Sequence, residues 1–318
     1  MQNTYLPHRV VLEEKYRQGG GSLSDELIKQ YDEVGYIVLD DLLDERDMKE
    51  VIESMSRKVD EIADELFSDG IIDDRHEDSP FDTRLAEIFD GLTDKDFLRF
   101  GRGWRDRLPG YYDLMSNHKI LDSVESLIGP EIFSNPVYNT RPKVPGVAAG
   151  AVPWHQDKSY WPDADAIPVL TCWVPMVDTD EENGCLHIWP GTHRMRVLSY
   201  HAETRTGTAY TEVDDKHLVN VKIVPLPVRK GSAIIFNDRI LHMSTPNRSE
   251  GVRWSVDLRY QPTDQDPMPG HGAAFLPEAK STPTGSSRSM TGSPGVWSTA
   301  ISEISSTHRQ ERQQRHCC

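Results

Sequence analysis

Trp154-His155-Gln156-Asp157-Lys158-Ser159-Tyr160-Trp161 sets an imidazole and a carboxylate two residues apart among aromatic neighbours. On a β-strand, side chains at i and i+2 point to the same face, so His155 and Asp157 are expected to look together into an interior. One imidazole and one carboxylate are two of the three ligands of a 2-His-1-carboxylate facial triad. That donor set leaves positions on Fe(II) open for a co-substrate and O2. The spacing alone is weakly specific, because His76-x-Asp78 repeats it. Context separates the two pairs.

Around His155 the chain reads as short extended runs broken by turn residues, the pattern of a sandwich or barrel. Strands are expected over 133–143, 149–157, 169–177, 185–190, 219–225, 232–236, 240–244 and 253–261. The turn signals are Val144-Pro145-Gly146, Glu182-Asn183-Gly184, Pro190-Gly191, Arg229-Lys230-Gly231 and 247–251. Eight strands suit a mainly β fold with flanking helices, a double-stranded β-helix of the jelly-roll or cupin-like barrel type, whose mouth is a common small-molecule site. By contrast, His76 and Asp78 lie in the acidic run Asp73-Asp74-Arg75-His76-Glu77-Asp78, without the β-branched or aromatic neighbours of a strand. They read as solvated charge.

Upstream, Ser22 or Ser24 can cap a helix to about Val34 with Leu23, Leu27, Ile28 and Tyr31 on one stripe. Gly35 ends it, and Tyr36-Ile37-Val38-Leu39 reads as a short buried strand. Asp44 with Asp47 caps a second helix to about Phe67, carrying Met48, Val51, Ile52, Met55, Val59, Ile62 and Leu66 at helical spacing. Phe97 to Tyr112 mixes arginines, aromatics and glycines like an entrance loop, and 114–128 reads as one more helix stopped by Gly129-Pro130. The expected organisation is a flexible lead-in over 1–21 and one catalytic domain over 22–277, helical over 22–131 with its jelly-roll core over 132–262. A low-complexity, mobile tail over 278–318 follows, ending in Cys317-Cys318.

With 35 Lys and Arg against 51 Asp and Glu, the formal net charge is −16. So acidic a chain argues against nucleic acid and anionic membranes as partners, and leaves room for a local basic pocket that takes a small molecule. No apolar run has transmembrane length and no signal peptide opens the chain, so a cytoplasmic location is the default. Cys172 and Cys185 sit in apolar, strand-like segments as small hydrophobes, not as a disulfide framework. Nothing in the sequence speaks to oligomeric state.

A third metal ligand would come from His187, His193, His201, His217 or His242. His242 follows a buried strand and tight turn, 231–241, that deliver it to the next strand. His193 follows Pro190-Gly191 and suits a turn-capping hydrogen bond, His187 alternates with Leu186 and Ile188 and suits an outward position, and His201 lies in a polar loop. Ser244 shares the face of His242. Arg253 opens Arg253-Trp254-Ser255-Val256-Asp257-Leu258-Arg259-Tyr260, an alternating polar and apolar strand. That pattern fits a solvent-facing edge strand, or a strand whose Arg253 forks onto a carboxylate at a barrel mouth.

Four pieces in order resemble the phytanoyl-CoA dioxygenase-like family of Fe(II)/2-oxoglutarate-dependent oxygenases: 135–143, Pro153-Trp154-His155-Gln156-Asp157, Asn183 through His193, and Gly231 through Arg253. The resemblance implies that His155, Asp157 and His242 bind Fe(II), and that Arg253 with Ser244 holds the distal carboxylate of 2-oxoglutarate. It further implies that Trp173, with Asn139 and Lys143, lines the co-substrate pocket. The implied reaction consumes O2 and 2-oxoglutarate, releases succinate and CO2, and hydroxylates an unactivated C–H of a small-molecule metabolite. Asp157 itself points to hydroxylation, since related halogenases carry a small residue there. Tyr138, Tyr160, Trp161 and Arg105 are candidate substrate contacts. The competing reading is a cupin-like metal-binding barrel, an isomerase or binding protein, which would need the His/Asp/His set but neither Arg253 nor Ser244. Fold analogy carries the reaction type and not the substrate.

Overall fold

In the computed structural model, the described residues are 9–11, 23–100, 109–135, 138–160, 169–208 and 210–263. The strand β1 (Arg9–Val11) is followed by helix α1 (Asp25–Val34), strand β2 (Tyr36–Asp40) and helices α2 (Glu45–Ser68), α3 (Arg84–Ile88), α4 (Asp94–Phe100), α5 (Pro109–Met115) and α6 (His118–Ile128). Strands then dominate: β3 (Ile132–Ser134), β4 (Asn139–Lys143), β5 (Val152–His155), β6 (Leu170–Pro175), β7 (Leu186–Trp189), β8 (Tyr200–Ala202) and β9 (Thr211–Val213). The last four are β10 (Val224–Leu226), β11 (Ala233–Asn237), β12 (Leu241–Ser244) and β13 (Arg253–Pro262).

The helices begin where their caps dictate. The Ser24 side chain accepts from the Leu27 N–H, and Gly35 closes α1 at φ 88°. Asp44 and Asp47 form a reciprocal capping box on α2, satisfying backbone N–H groups that a helix start otherwise leaves orphaned. The α2 stripe Met48, Val51, Met55, Val59, Ile62 and Leu66 is buried. Helix α5 crosses α2 at Gly110, where a Cβ would overlap the Glu50–Val51 peptide. Any larger residue there would separate the two helices.

A seven-stranded sheet runs β1-β2-β11-β6-β13-β3, with β4 also on β13, and a four-stranded sheet runs β10-β7-β12-β5. One apolar cluster joins their facing surfaces: Tyr36, Val38, Trp173, Ile234 and Phe236 from the large sheet against Ile188 and Leu226 from the small one. The alternate residues of the large sheet, Ile37, Leu39, Cys172, Val174 and Ile235, enter a second cluster with the helices. The result is the helix-backed two-sheet jelly roll expected from the sequence. Among the described residues no strand ladder closes the two sheets into a ring.

Several boundaries differ from the sequence reading. The run 133–143 divides into β3 and β4, which pair with opposite halves of β13. The run 149–157 shortens to β5, because a 3-10 turn over Ala148–Gly150 precedes it and another over Asp157–Tyr160 follows. Val219 and Ile223 are exposed, and the strand expected there is only β10. The single helix expected over 114–128 is two, since Asn117 caps α6 anew. Strand β1 pairs in parallel with β2 inside the stretch expected to be a flexible lead-in. The expected tail and Cys317-Cys318 lie outside the described residues.

Strand β13 is the most informative difference. It is no solvent-facing edge: it pairs with β6 on one side and with β4 and β3 on the other. Trp254, Val256, Leu258 and Tyr260 enter the helix-side core, and every residue from Arg253 to Gln261 is buried. Its polar face therefore looks between the sheets.

Candidate metal centre and co-substrate pocket

Antiparallel pairing of β12 with β5 sets His242 directly opposite His155, and their ring centroids lie 4.0 Å apart. The Nδ1 of His155 is 2.9 Å from the Pro153 carbonyl oxygen, and that of His242 is 3.1 Å from the Ile240 carbonyl oxygen. With Nδ1–H donating to these carbonyls, each Nε2 keeps its lone pair for the interior. Asp157 is not on the strand with His155, as the i, i+2 reading supposed. The strand stops at His155, and Asp157 opens the following 3-10 turn. The turn still swings Oδ1 to 3.5 Å from His155 Nε2 and 3.8 Å from His242 Nε2.

The three donor atoms lie within 4.8 Å of one another, and all three residues are buried. Burial, reinforced by His155, pushes the His242 imidazole down to about 3, so it is neutral and ready to ligate. Burial alone would raise Asp157, but the Arg259 guanidinium and the two histidines outweigh it and hold the carboxyl well below the usual range. Two lone-pair nitrogens and one anionic oxygen around a common point fit a divalent ion with borderline preferences such as Fe(II).

Beside these donors lies a cavity between the sheets, ≈ 370 Å³ counted with its opening to solvent, lined also by Trp173, Ser244 and Arg253. Arg253 is only 1% exposed. Its Nη1 donates to Ser255 Oγ at 2.5 Å, its guanidinium lies 5.5 Å from the Trp173 ring centroid, and its buried Nε has no hydrogen-bond partner among the described residues. Burial pushes its pKa down to about 10, still cationic at neutral pH. Lys143, the register partner of Arg253 on β4, donates to Ser244 Oγ at 2.7 Å and to the Thr245 carbonyl. Burial, with Arg253 and Arg141 nearby, pushes the Lys143 ammonium toward its neutral form. Asn139 is buried four residues before Lys143 and lines an adjoining cavity with it.

The other candidates are scattered. Tyr138 packs in the core, its ring 5.2 Å from that of Tyr111. Tyr160 is 42% exposed and turns its ring edge toward His155 at 6.1 Å. Trp161 and Arg105 lie outside the described residues. His76 faces Glu87, His201 faces Asp214 and Glu212, and His217 meets Ser199. His193 Nε2 contacts the Asp32 carbonyl. His187 is buried rather than outward-facing, held near the Cys185 carbonyl.

Two groups escaped the sequence reading. Thr171 and Arg259 both donate to Asp157 Oδ2, at 2.6 and 2.8 Å. Asp257 links Arg259 to Arg141, with Arg141 Nε at 2.6 Å and Arg259 Nη2 at 3.9 Å from the same oxygen. The parity of β13 was a signal for Arg259 and Asp257, since both share the face of Arg253.

Residues 31–255 match the model of the family described as Phytanoyl-CoA dioxygenase (PhyH). The chain is 24% identical to the human peroxisomal phytanoyl-CoA dioxygenase over 258 residues, covering 79% of this chain and 72% of that protein. It is 26% identical to phytanoyl-CoA dioxygenase domain-containing protein 1 of Danio rerio over 297 residues, covering 78% and 98%. Among solved structures, the fold is similar to the non-heme alpha ketoglutarate dependent carbocyclase SnoK from nogalamycin biosynthesis, at 20% identity and TM-score 0.53, covering 79% and 90%. It is similar also to EctD from S. alaskensis, at 19% identity and TM-score 0.53, covering 86% and 89%. The chain therefore belongs to the phytanoyl-CoA dioxygenase family of Fe(II)- and 2-oxoglutarate-dependent oxygenases.

Proposed function

We propose that this oxygenase hydroxylates an unactivated C–H of a small-molecule metabolite, with His155, Asp157 and His242 holding Fe(II) and Arg253 anchoring 2-oxoglutarate. The observation that carries the reading is the shared cavity: a buried, convergent His/Asp/His set and a buried arginine line the same space. A five-carbon dicarboxylate that chelates a metal at one end must place its other carboxylate some ångströms away. Arg253 and Ser244 offer donors there, and the Nε of Arg253, unpartnered among the described residues, is a buried polar group that such a ligand would satisfy. A metal-binding cupin without 2-oxoglutarate turnover would have no use for an arginine buried in that position, at the desolvation cost burial imposes.

Bound at the three donors, Fe(II) supplies O2 activation coupled to oxidative decarboxylation: substrate, 2-oxoglutarate and O2 become hydroxylated substrate, succinate and CO2. The chain's own residues do the rest. The backbone carbonyls of Pro153 and Ile240 fix the histidine tautomers, and Thr171 with Arg259 occupies the outer oxygen of Asp157 so that only Oδ1 faces inward. Lys143 orients the Ser244 hydroxyl, and Trp173 walls the pocket beside Arg253. Phe236 packs 4.7 Å from the His242 ring and helps exclude water.

The test is anaerobic addition of Fe(II) and 2-oxoglutarate to the purified chain. A weak visible charge-transfer band is expected, absent when either component is omitted and absent in His242→Ala. Tight metal binding without that band would favour the cupin reading.

A further inference from the structure

We propose that Arg141 is the receptor for a single carboxylate on the substrate, which occupies the cavity adjoining the metal centre; the inference rests on the oxygenase reading above. That second cavity, ≈ 1110 Å³ including its mouth, meets the first at Arg141 and Arg253, which line both. Its lining holds three bases, Arg141, Lys143 and Arg253, and no carboxylate among the described residues. Two of the three are already engaged. Lys143 spends its donors on Ser244 and the Thr245 carbonyl, and Arg253 faces the position assigned to the co-substrate.

Arg141 remains. Its Nε donates to Asp257 at 2.6 Å and its Nη1 to the Tyr210 hydroxyl at 3.1 Å, which fix the plane of the guanidinium. Its Nη2 has no hydrogen-bond partner among the described residues, and the side chain is 20% exposed. A guanidinium locked by two contacts and open at a third nitrogen is a preorganised anion receptor. The charge balance sets the valence of the anion. Arg141, Arg253 and Arg259 face two carboxylates, Asp157 and Asp257, in these cavities, while burial pushes Lys143 toward its neutral form and out of the count. A divalent ion and a dicarboxylate cancel one another, so one positive charge is left for the substrate. Phe97, Leu98 and Ala149 supply an apolar wall, so the ligand class is a monocarboxylate with a compact hydrocarbon body.

The probes are cyclohexanecarboxylate and its neutral isostere cyclohexanecarboxamide, titrated calorimetrically into the anaerobic Fe(II)·2-oxoglutarate protein. The carboxylate should bind about ten- to hundredfold tighter than the amide, the range of one charge-assisted hydrogen-bonded contact. Arg141→Gln should erase that preference while the charge-transfer band of Fe(II) and 2-oxoglutarate still forms, and Arg141→Lys should restore part of it. Equal binding of carboxylate and amide by the wild-type protein would overturn the proposal, whatever the variants do. So would an undiminished preference in Arg141→Gln. A wild-type protein without the band would instead overturn the oxygenase reading, and this inference with it.

Discussion

Arg259 Nη2 donates to the outer oxygen of Asp157 at 2.8 Å, leaving the inner oxygen as the atom that faces His155 and His242. Partners of this kind fix the orientation and basicity of a ligand, and their loss costs about 10- to 100-fold in metal affinity. Arg259→Gln is expected to weaken anaerobic Fe(II) binding by that range, and Thr171→Val by less, since a neutral hydroxyl is lost. Titration with Fe(II) or Mn(II) measures both. The same contact governs how substitutions of Asp157 itself should behave. Asp157→Ala strips a buried guanidinium of its nearer counter-charge and should cost about 3–5 kcal/mol of metal-free stability. Asp157→Asn keeps an acceptor for Arg259 and should retain the fold while losing the metal. If Asp157→Asn binds Fe(II) as tightly as wild type, Asp157 is not a ligand.

Arg253 is the residue on which 2-oxoglutarate binding should depend. Truncating one partner of a desolvated, hydrogen-bonded charge pair costs roughly 2–5 kcal/mol. Arg253→Ala should therefore raise the apparent 2-oxoglutarate requirement by about 30- to several-thousandfold, each 1.4 kcal/mol being tenfold. Fe(II) affinity should hardly move. Arg253→Lys should recover part of the loss, because an ammonium keeps the charge but not the planar fork. Wild-type 2-oxoglutarate dependence in Arg253→Ala would return the chain to the metal-binding cupin class.

What the sequence made legible was chemistry and period; what it hid was which face meets water. The alternation from Arg253 to Tyr260 announces two faces, yet a polar face reads as solvent unless something charged lies opposite it. Here Asp157 and His242 lie opposite, contributed by residues distant in sequence. His155 and Asp157 come together as their spacing predicts but not by strand parity, since a 3-10 turn, not a strand, carries Asp157. The α2 stripe and its capping box were readable because both are local. Strands β8 and β9 escaped notice: β8 is wholly exposed, so no apolar pattern marks it. The second cavity was likewise invisible, because it joins α4, β4 and the segment around Gly207, which only tertiary packing unites.

Acid should destabilise the metal-free protein through His242. Burial, with His155 beside it, depresses the folded-state pKa from 6.5 to about 3. Between those values the unfolded chain binds a proton that the native state refuses, so stability is full above pH 6.5 and falls as pH drops toward 3. The slope approaches about 1.4 kcal/mol per pH unit, or about 2 kcal/mol between pH 7 and pH 5. Urea midpoints of wild type and His242→Gln, both metal-free, test this. The wild type should lose stability more steeply, and parallel pH profiles would show that His242 is not held neutral by burial.

Gly184 couples a turn to the pocket proposed for 2-oxoglutarate. It sits at φ 83°, where an added Cβ would overlap the Thr245 carbonyl oxygen and approach Lys143 Nζ to 3.1 Å. Lys143 draws on that same carbonyl and on Ser244 for its hydrogen bonds, so displacing Thr245 displaces the Nζ that orients the Ser244 hydroxyl. Left-handed backbone strain alone costs roughly 1–2 kcal/mol for a residue bearing a Cβ. Gly146 is the matched control, with φ 73° and nothing within 4 Å of an added Cβ. Both Gly184→Ala and Gly146→Ala should lower thermal stability by at least the strain term. Only Gly184→Ala should also raise the apparent 2-oxoglutarate requirement, by about three- to tenfold, the scale of one weakened hydrogen bond of roughly 1 kcal/mol. Thermal unfolding and 2-oxoglutarate titrations of the two variants separate strain from site geometry. An unchanged 2-oxoglutarate requirement in Gly184→Ala, beside the expected loss of stability, would remove Lys143 and Ser244 from the co-substrate site.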